Sequence, residues 1–168
     1  MRGLLLGAAA LACAALPLAG QAAGTGTRVV ILGTGTPNPD PLRSGPAVAV
    51  VVGDRSYLVD AGPGVVRRAA EAAAKHGLPA LQAKRLERVF LTHLHSDHTA
   101  GLPDLMLTTW TLEREVPLAV YGPPGTAAMT SHLLAAYAED RRNRIDGAEP
   151  ANTTGWQVDA REIDAGLV

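Results

Sequence analysis

The residues best equipped for chemistry lie together in His93-Leu94-His95-Ser96-Asp97-His98, which holds three of the chain's five histidines and a carboxylate in six positions. Imidazole nitrogens and a carboxylate at this density form a donor set for a borderline divalent cation such as zinc, or for a pair of cations. In an extended backbone alternate side chains share a face, so His93, His95 and Asp97 are expected to enter one pocket. His98 falls where the chain turns toward the next helix and is expected to approach that pocket from another side. The plainer alternative is a polar loop that merely contains histidines. The apolar run Val89-Phe90-Leu91 directly before the cluster weighs against it, because sites gather at strand ends on rigid scaffolds.

The elements that must position this cluster alternate between β-like and helical patterns. Strands are expected over residues 28–32, 47–52, 56–59, 87–92, 116–121 and 156–163, from their short apolar and β-branched runs. Gly53-Asp54 joins the second and third as a hairpin turn. Helices are expected over 65–76, closed by Gly77, over 102–114, and from Thr126 as N-cap to about Arg141. Pro37, Pro39, Pro41 and Pro46 hold the segment after the first strand extended and forbid a helix there. A hairpin followed by strand-helix alternation implies a mixed α/β sheet with flanking helices. Gly33-Thr34-Gly35 after a strand is no dinucleotide fingerprint, since the third glycine and the helix are both missing.

Composition narrows the class further. The chain has 168 residues, 47% hydrophobic and 18% charged, enough for one domain with a core. A formal net charge of −1 gives no overall electrostatic footprint for a nucleic-acid backbone or an anionic membrane. The local cluster Arg141, Arg142 and Arg144 reads as a solvated helix end. Residues 1–23 read as a secretory signal: Arg2, an apolar stretch over residues 4–18, then small residues ending near Ala22 or Ala23. The chain is therefore expected to be exported, periplasmic or secreted, with no stable membrane span after cleavage. The sole cysteine, Cys13, lies inside that segment, so the mature domain (28–168) must build any metal site from nitrogen and oxygen.

His-x-His-x-Asp-His after an apolar strand resembles the signature of the metallo-β-lactamase superfamily of metal-dependent hydrolases. Leu32-Gly33-Thr34-Gly35-Thr36-Pro37, Leu58-Val59-Asp60-Ala61-Gly62 and Tyr121-Gly122-Pro123-Pro124-Gly125-Thr126 are similar to its tRNase Z and arylsulfatase-like branch, and together span most of residues 28–126. The resemblance implies an αββα sandwich of which this chain supplies roughly the first half. It implies two divalent cations, most simply zinc: His93 and His95 on the first, Asp97 and His98 on the second. Asp97 would also serve as proton acceptor for the attacking water. Asp60 becomes a buried carboxylate steadying the metal loop, with an ordinary turn former at a strand end as the alternative, and Thr92 is a weaker candidate for the same supporting role.

The family's full ligand set also includes a third histidine, a bridging aspartate and a last histidine further along. His132, the one histidine after His98, sits mid-helix and matches no ligand motif. The sequence thus carries half a site, and one face of its sheet is expected to stay wet or to be covered by something else. The expected activity is hydrolysis of phosphodiester or sulfate esters by metal-activated water, on a small-molecule ester substrate. Alternatives are a tRNase Z-type endoribonuclease, a lactonase or β-lactamase, or a remnant that only binds metal or a partner. Nucleic acid is allowed but not favoured, and a homodimer is compatible with the sequence.

Overall fold

The computed structural model describes residues 26–148 and 150–164; the expected signal, Cys13 included, lies outside them. Six strands form one sheet in chain order: β1 (Thr27–Gly33), β2 (Ala47–Val52), β3 (Arg55–Val59), β4 (Arg88–Phe90), β5 (Leu118–Gly122) and β6 (Val158–Glu162). β1, β2 and β3 pair antiparallel, with Gly53 at φ 60° in the tight β2–β3 turn, and β3 to β6 run parallel. The mixed sheet expected from the hairpin and the later alternation is the one observed.

The helices are α1 (Val65–His76), α2 (Ser96–Thr99), α3 (Leu102–Thr111), α4 (Thr126–Ala136) and α5 (Ala138–Asp146), with 3-10 turns at Pro79–Leu81 and Ala83–Arg85. No helix among the described residues is long and apolar enough to cross a membrane. α1 buries Val65, Val66, Ala69 and Ala72, and its alanines let it lie close on the sheet. These residues join Ala49, Leu58, Val89 and Val120 of the strands and Leu102, Leu105 and Met106 of α3 in a single core, with Met129 and Leu133 of α4 at its edge. The register places Val30, Ala49, Leu58, Val89, Val120 and Ala160 in one row across the sheet on this covered face. One residue further along every strand runs the row Ile31, Val48, Val59, Phe90, Tyr121 and Arg161, on the opposite face. Ile31 is 58% exposed there, and Phe90 stacks on Tyr121 at 4.7 Å between ring centroids.

Several expectations need correction. β4 stops at Phe90 and does not run on to residue 92, because the amide of Thr92 is taken by the Asp60 carboxylate instead of a neighbouring strand. Thr126 is the first residue of α4 and not its N-cap; Gly125, at φ 101°, holds the cap position, a conformation a β-branched residue resists. The long helix expected from Thr126 breaks at Tyr137 into α4 and α5, and the Leu134 carbonyl is taken by the Arg141 guanidinium. Arg141 is therefore not part of a solvated helix end: it lies 4.2 Å from the Trp156 ring centroid. Arg142 and Arg144 do stay at the surface, paired with Glu139 and Asp140.

Arg114 ties α3 to β5. It is fully buried and donates to the carbonyls of Met106 and Val116 and to the Thr109 hydroxyl. Burial lowers its guanidinium to about 10, against the opposing pull of Glu87. The carbonyl of Arg114 accepts from the Asn152 side chain, which fastens the loop before β6.

Candidate metal centre

β3 and β4 run parallel and end side by side, so the loops that follow them meet at one end of the sheet. Asp60 opens the first loop in a left-handed conformation, φ 63°, with its amide bonded to the Phe90 carbonyl at 2.8 Å. A non-glycine residue held there stores strain that the surroundings must repay. The repayment is visible in its carboxylate. Asp60 accepts from the Thr92 amide at 2.9 Å, lies 3.0 Å from the Thr92 hydroxyl through either oxygen, and sits 2.8 Å from His98 Nδ1.

The second loop holds the histidines. The extended backbone expected over residues 93–97 is not present throughout: His95 is extended, but Ser96–Thr99 form a helical turn, with the His98 amide bonded to the His95 carbonyl. The reason is local, since the Thr99 hydroxyl and the Ala100 amide also turn back onto His95 and Ser96. The turn brings Asp97 and His98 round together instead of alternating Asp97 with His95. His93, His95 and His98 still converge, with ring centroids 4.6 Å apart for His93 and His95 and 4.1 Å for His93 and His98.

Glycines let the loops approach this closely. The Ala61 amide bonds the His98 carbonyl, the Gly101 amide bonds the Ala61 carbonyl, and the Gly62 amide bonds the Pro46 carbonyl. A Cβ on Gly62 would meet Pro46 N at 2.6 Å and the Asp97 carbonyl oxygen at 2.7 Å. Between the proline-rich loop and α2 an open cleft of about 430 Å³ has Thr36, Pro39 and Arg43 on one wall and Ser96 and Asp97 on the other. The sequence marks that proline segment as an extended connection, with Thr36-Pro37 at its start in a family landmark. Pro37, Pro39, Pro41 and Arg43 were the available signal of a stiff wall beside the cluster.

The donor set fits divalent cations in two respects. His98 is anchored through Nδ1 and His93 has its Nδ1 on the Thr92 hydroxyl at 2.9 Å, so each turns Nε2 outward. His98 Nε2 and Asp97 Oδ2 lie 3.6 Å apart. Two ligand atoms at about 2.1 Å from one cation in tetrahedral geometry lie roughly 3.4 Å apart. Among the described residues no group of three or more histidine, cysteine or carboxylate side chains is arranged so that it could hold a metal ion as it stands. The structure brings the rings of His93, His95 and His98 together, sets Asp97 beside His98, backs His93 and His98 with Thr92 and Asp60, and leaves His132 exposed on α4.

Comparisons with known proteins place these features. A family profile described as "Metallo-beta-lactamase superfamily" matches residues 40–163. Ribonuclease Z of Mycobacterium sp. (strain KMS) is 44% identical over 142 residues, covering 83% of this chain and 47% of the relative. Ribonuclease Z of Mycobacterium bovis (strain BCG / Pasteur 1173P2) is 41% identical over 142 residues, covering 82% and 48%. The chain spans about half the length of the curated relatives it matches. Among solved structures, the short form of human tRNase Z aligns at 32% identity with a TM-score of 0.55, covering 66% of this chain and 39% of that one. A metallo-beta-lactamase fold protein from Bacillus subtilis aligns at 21% identity with a TM-score of 0.54, covering 83% and 46%, a likeness of fold. With its histidine motif at the shared end of two parallel strands and the profile running through every strand from β2 to β6, the chain belongs to the metallo-β-lactamase superfamily.

Proposed function

We propose that this chain supplies the first half of the metal centre of a phosphodiesterase acting on RNA, a hydrolase of the ribonuclease Z kind. One observation carries the reading: the His93–His98 cluster sits in a sequence 44% identical over 142 residues to a ribonuclease Z. His93 and His95 would hold one divalent cation and Asp97 and His98 a second, zinc by the chemistry of nitrogen and oxygen donors. Such cations, when bound, supply Lewis acidity and a hydrolytic water at neutral pH. The chain's own residues do the rest of what this half can do. Asp97 borders the cleft and is placed to accept a proton, while the proline wall opposite limits how a substrate can lie.

This reading moves away from a small-molecule ester, because the relatives of 41–44% identity described above are ribonucleases Z. Net charge argued against nucleic acid, yet it averages over a whole chain, whereas an RNA path needs cations only where the phosphates run. The test is cleavage of a precursor tRNA by a zinc-loaded protein holding both halves of the centre, run beside a p-nitrophenyl sulfate and a bis(p-nitrophenyl) phosphate. RNA cleavage is expected, whereas this chain alone, with half of the centre, is expected to turn over little or nothing. Turnover of the sulfate with intact RNA would replace this reading with an arylsulfatase.

The apolar stretch at residues 4–18 favours a second version, an exported phosphodiesterase working on phosphodiesters outside the cytoplasm. Cell fractionation with and without residues 1–23 decides it. Export that depends on that segment supports the version, and an uncleaved chain in the cytoplasm discards it.

A further inference from the structure

We propose that the cleft between α3 and α5 is a nucleotide site, which takes one unpaired nucleotide of the RNA strand with its base against Tyr137 and Leu107 and its phosphate at Arg144. The purpose of the site rests on the RNA reading above; the affinity of the cleft for a free nucleotide does not require it.

The fold holds this cleft open. α5 buries none of its residues, so its position is not set by packing on a neighbour. It is tied at both ends instead: Arg141 donates to the Leu134 carbonyl at 3.1 Å and lies over the Trp156 ring, and the Ala151 amide donates to the Arg144 carbonyl at 2.8 Å. Between α3 and α5 about 410 Å³ stays open. That volume falls within the roughly 300–1,000 Å³ range of small-molecule sites. Ala100 lines this cleft and also the one beside Asp97, so a strand lying along the metal loop has direct access to both.

Unpaired bases are held by stacking on aromatic and apolar side chains, with a few polar groups at their edges. Tyr137 is 41% exposed at one end of the cleft, and Leu107, half-buried at the rim of the core, supplies an apolar floor. The acidic groups are already paired. Asp104 meets Arg67 at 3.0 Å and accepts from the Thr108 hydroxyl, and Asp140 meets Arg144. That pairing argues against a cationic occupant. Arg144 commits only its Nε to Asp140, at 3.0 and 3.1 Å from the two oxygens, and among the described residues its Nη groups have no hydrogen-bond partner. Those groups are left for a phosphate, whose oxygens a guanidinium fork matches.

The experiment is titration of AMP into the metal-free, nitrogen-15-labelled chain, followed by amide shifts, with adenosine and ribose 5-phosphate as separate probes. AMP should move the amides of Leu107, Thr108, Tyr137 and Asp140 saturably, and ribose 5-phosphate should bind roughly tenfold more weakly or worse. Tyr137→Ala should weaken AMP about tenfold, and Tyr137→Phe should leave it unchanged. Arg144→Gln should remove the advantage of AMP over adenosine. Shifts that are absent or gather at other residues overturn the proposal. So do ribose 5-phosphate binding as tightly as AMP, an unchanged affinity in Tyr137→Ala, and an AMP advantage that survives Arg144→Gln. AMP against ribose 5-phosphate on the native chain decides the matter even where Tyr137→Ala fails to fold. AMP binding here, with RNA left intact by the protein holding both halves of the centre, upholds the nucleotide site and discards the RNA reading. RNA cleavage without AMP binding does the reverse, so the two readings fail separately.

Discussion

The two faces of the sheet are cut from the same six strands, one residue out of step, and differ in fate more than in composition. Ala49, Leu58, Val89 and Val120 look into the helices and are completely buried. Their neighbours Val48, Val59, Phe90 and Tyr121 are as apolar, yet they are only half-buried, and at the edge strand Val29 is 65% exposed. Strands with one solvated face alternate apolar and polar residues, whereas strands buried on both faces read as continuous apolar runs. β2, Ala-Val-Ala-Val-Val-Val, is of the second kind. The difference teaches that this sheet is written for two covering layers, and that the described residues provide one. A chain spanning about half the length of its relatives fits that reading.

The contrast can be broken by mutation. Leu58→Ala on the covered face should cost about 2–5 kcal/mol in urea denaturation, because it opens a cavity inside the packed core. Arg114→Ala, beside the same layer, should cost roughly 2–4 kcal/mol by the same measurement, since it strands the carbonyls of Met106 and Val116 and removes a large buried side chain. At the site end Gly62→Ala should cost about 1–3 kcal/mol as the new methyl drives the Asp97 backbone from Pro46, and zinc affinity should fall with it. Smallest of all, Ile31→Thr on the open face should shift stability by less than about 0.5 kcal/mol. A loss above about 1 kcal/mol there would mean that the face is covered in solution, and the comparison would collapse.

Local signals made much of this legible. α1 runs from Val65 to His76 as its pattern of alanines and Gly77 foretold, with Gly77 at φ 60°. β2 and the Gly53 turn were readable for the same reason, since a short valine-rich run and a left-handed glycine are properties of a few adjacent residues. The histidine cluster was legible from residue type and spacing. Its internal geometry was not: the helical turn at Ser96–Thr99 replaced the extended run, so Asp97 pairs with His98 and not with the alternation of His93 and His95. The Gly-Pro-Pro-Gly-Thr landmark was visible, but the group that satisfies the start of α4 was not. It is Glu162, on β6, whose carboxylate accepts from the amides of Gly125 and Ala127.

By itself, then, the sequence determined the strand order, the two helices that follow β3 and the histidine cluster, the mixed sheet and the side chains gathered at the candidate site, because periodicity, turn chemistry and residue type act over a few residues. The tertiary structure decided which partners those donors have. Asp60 and Thr92 lie 32 residues apart in sequence and meet because β3 and β4 are neighbours in the sheet. The same adjacency sets the strained backbone of Asp60 against the Phe90 carbonyl and turns two imidazoles the same way. Such pairings depend on the distance between strand ends, a quantity that the packing of the sheet fixes and that no local run of residues encodes.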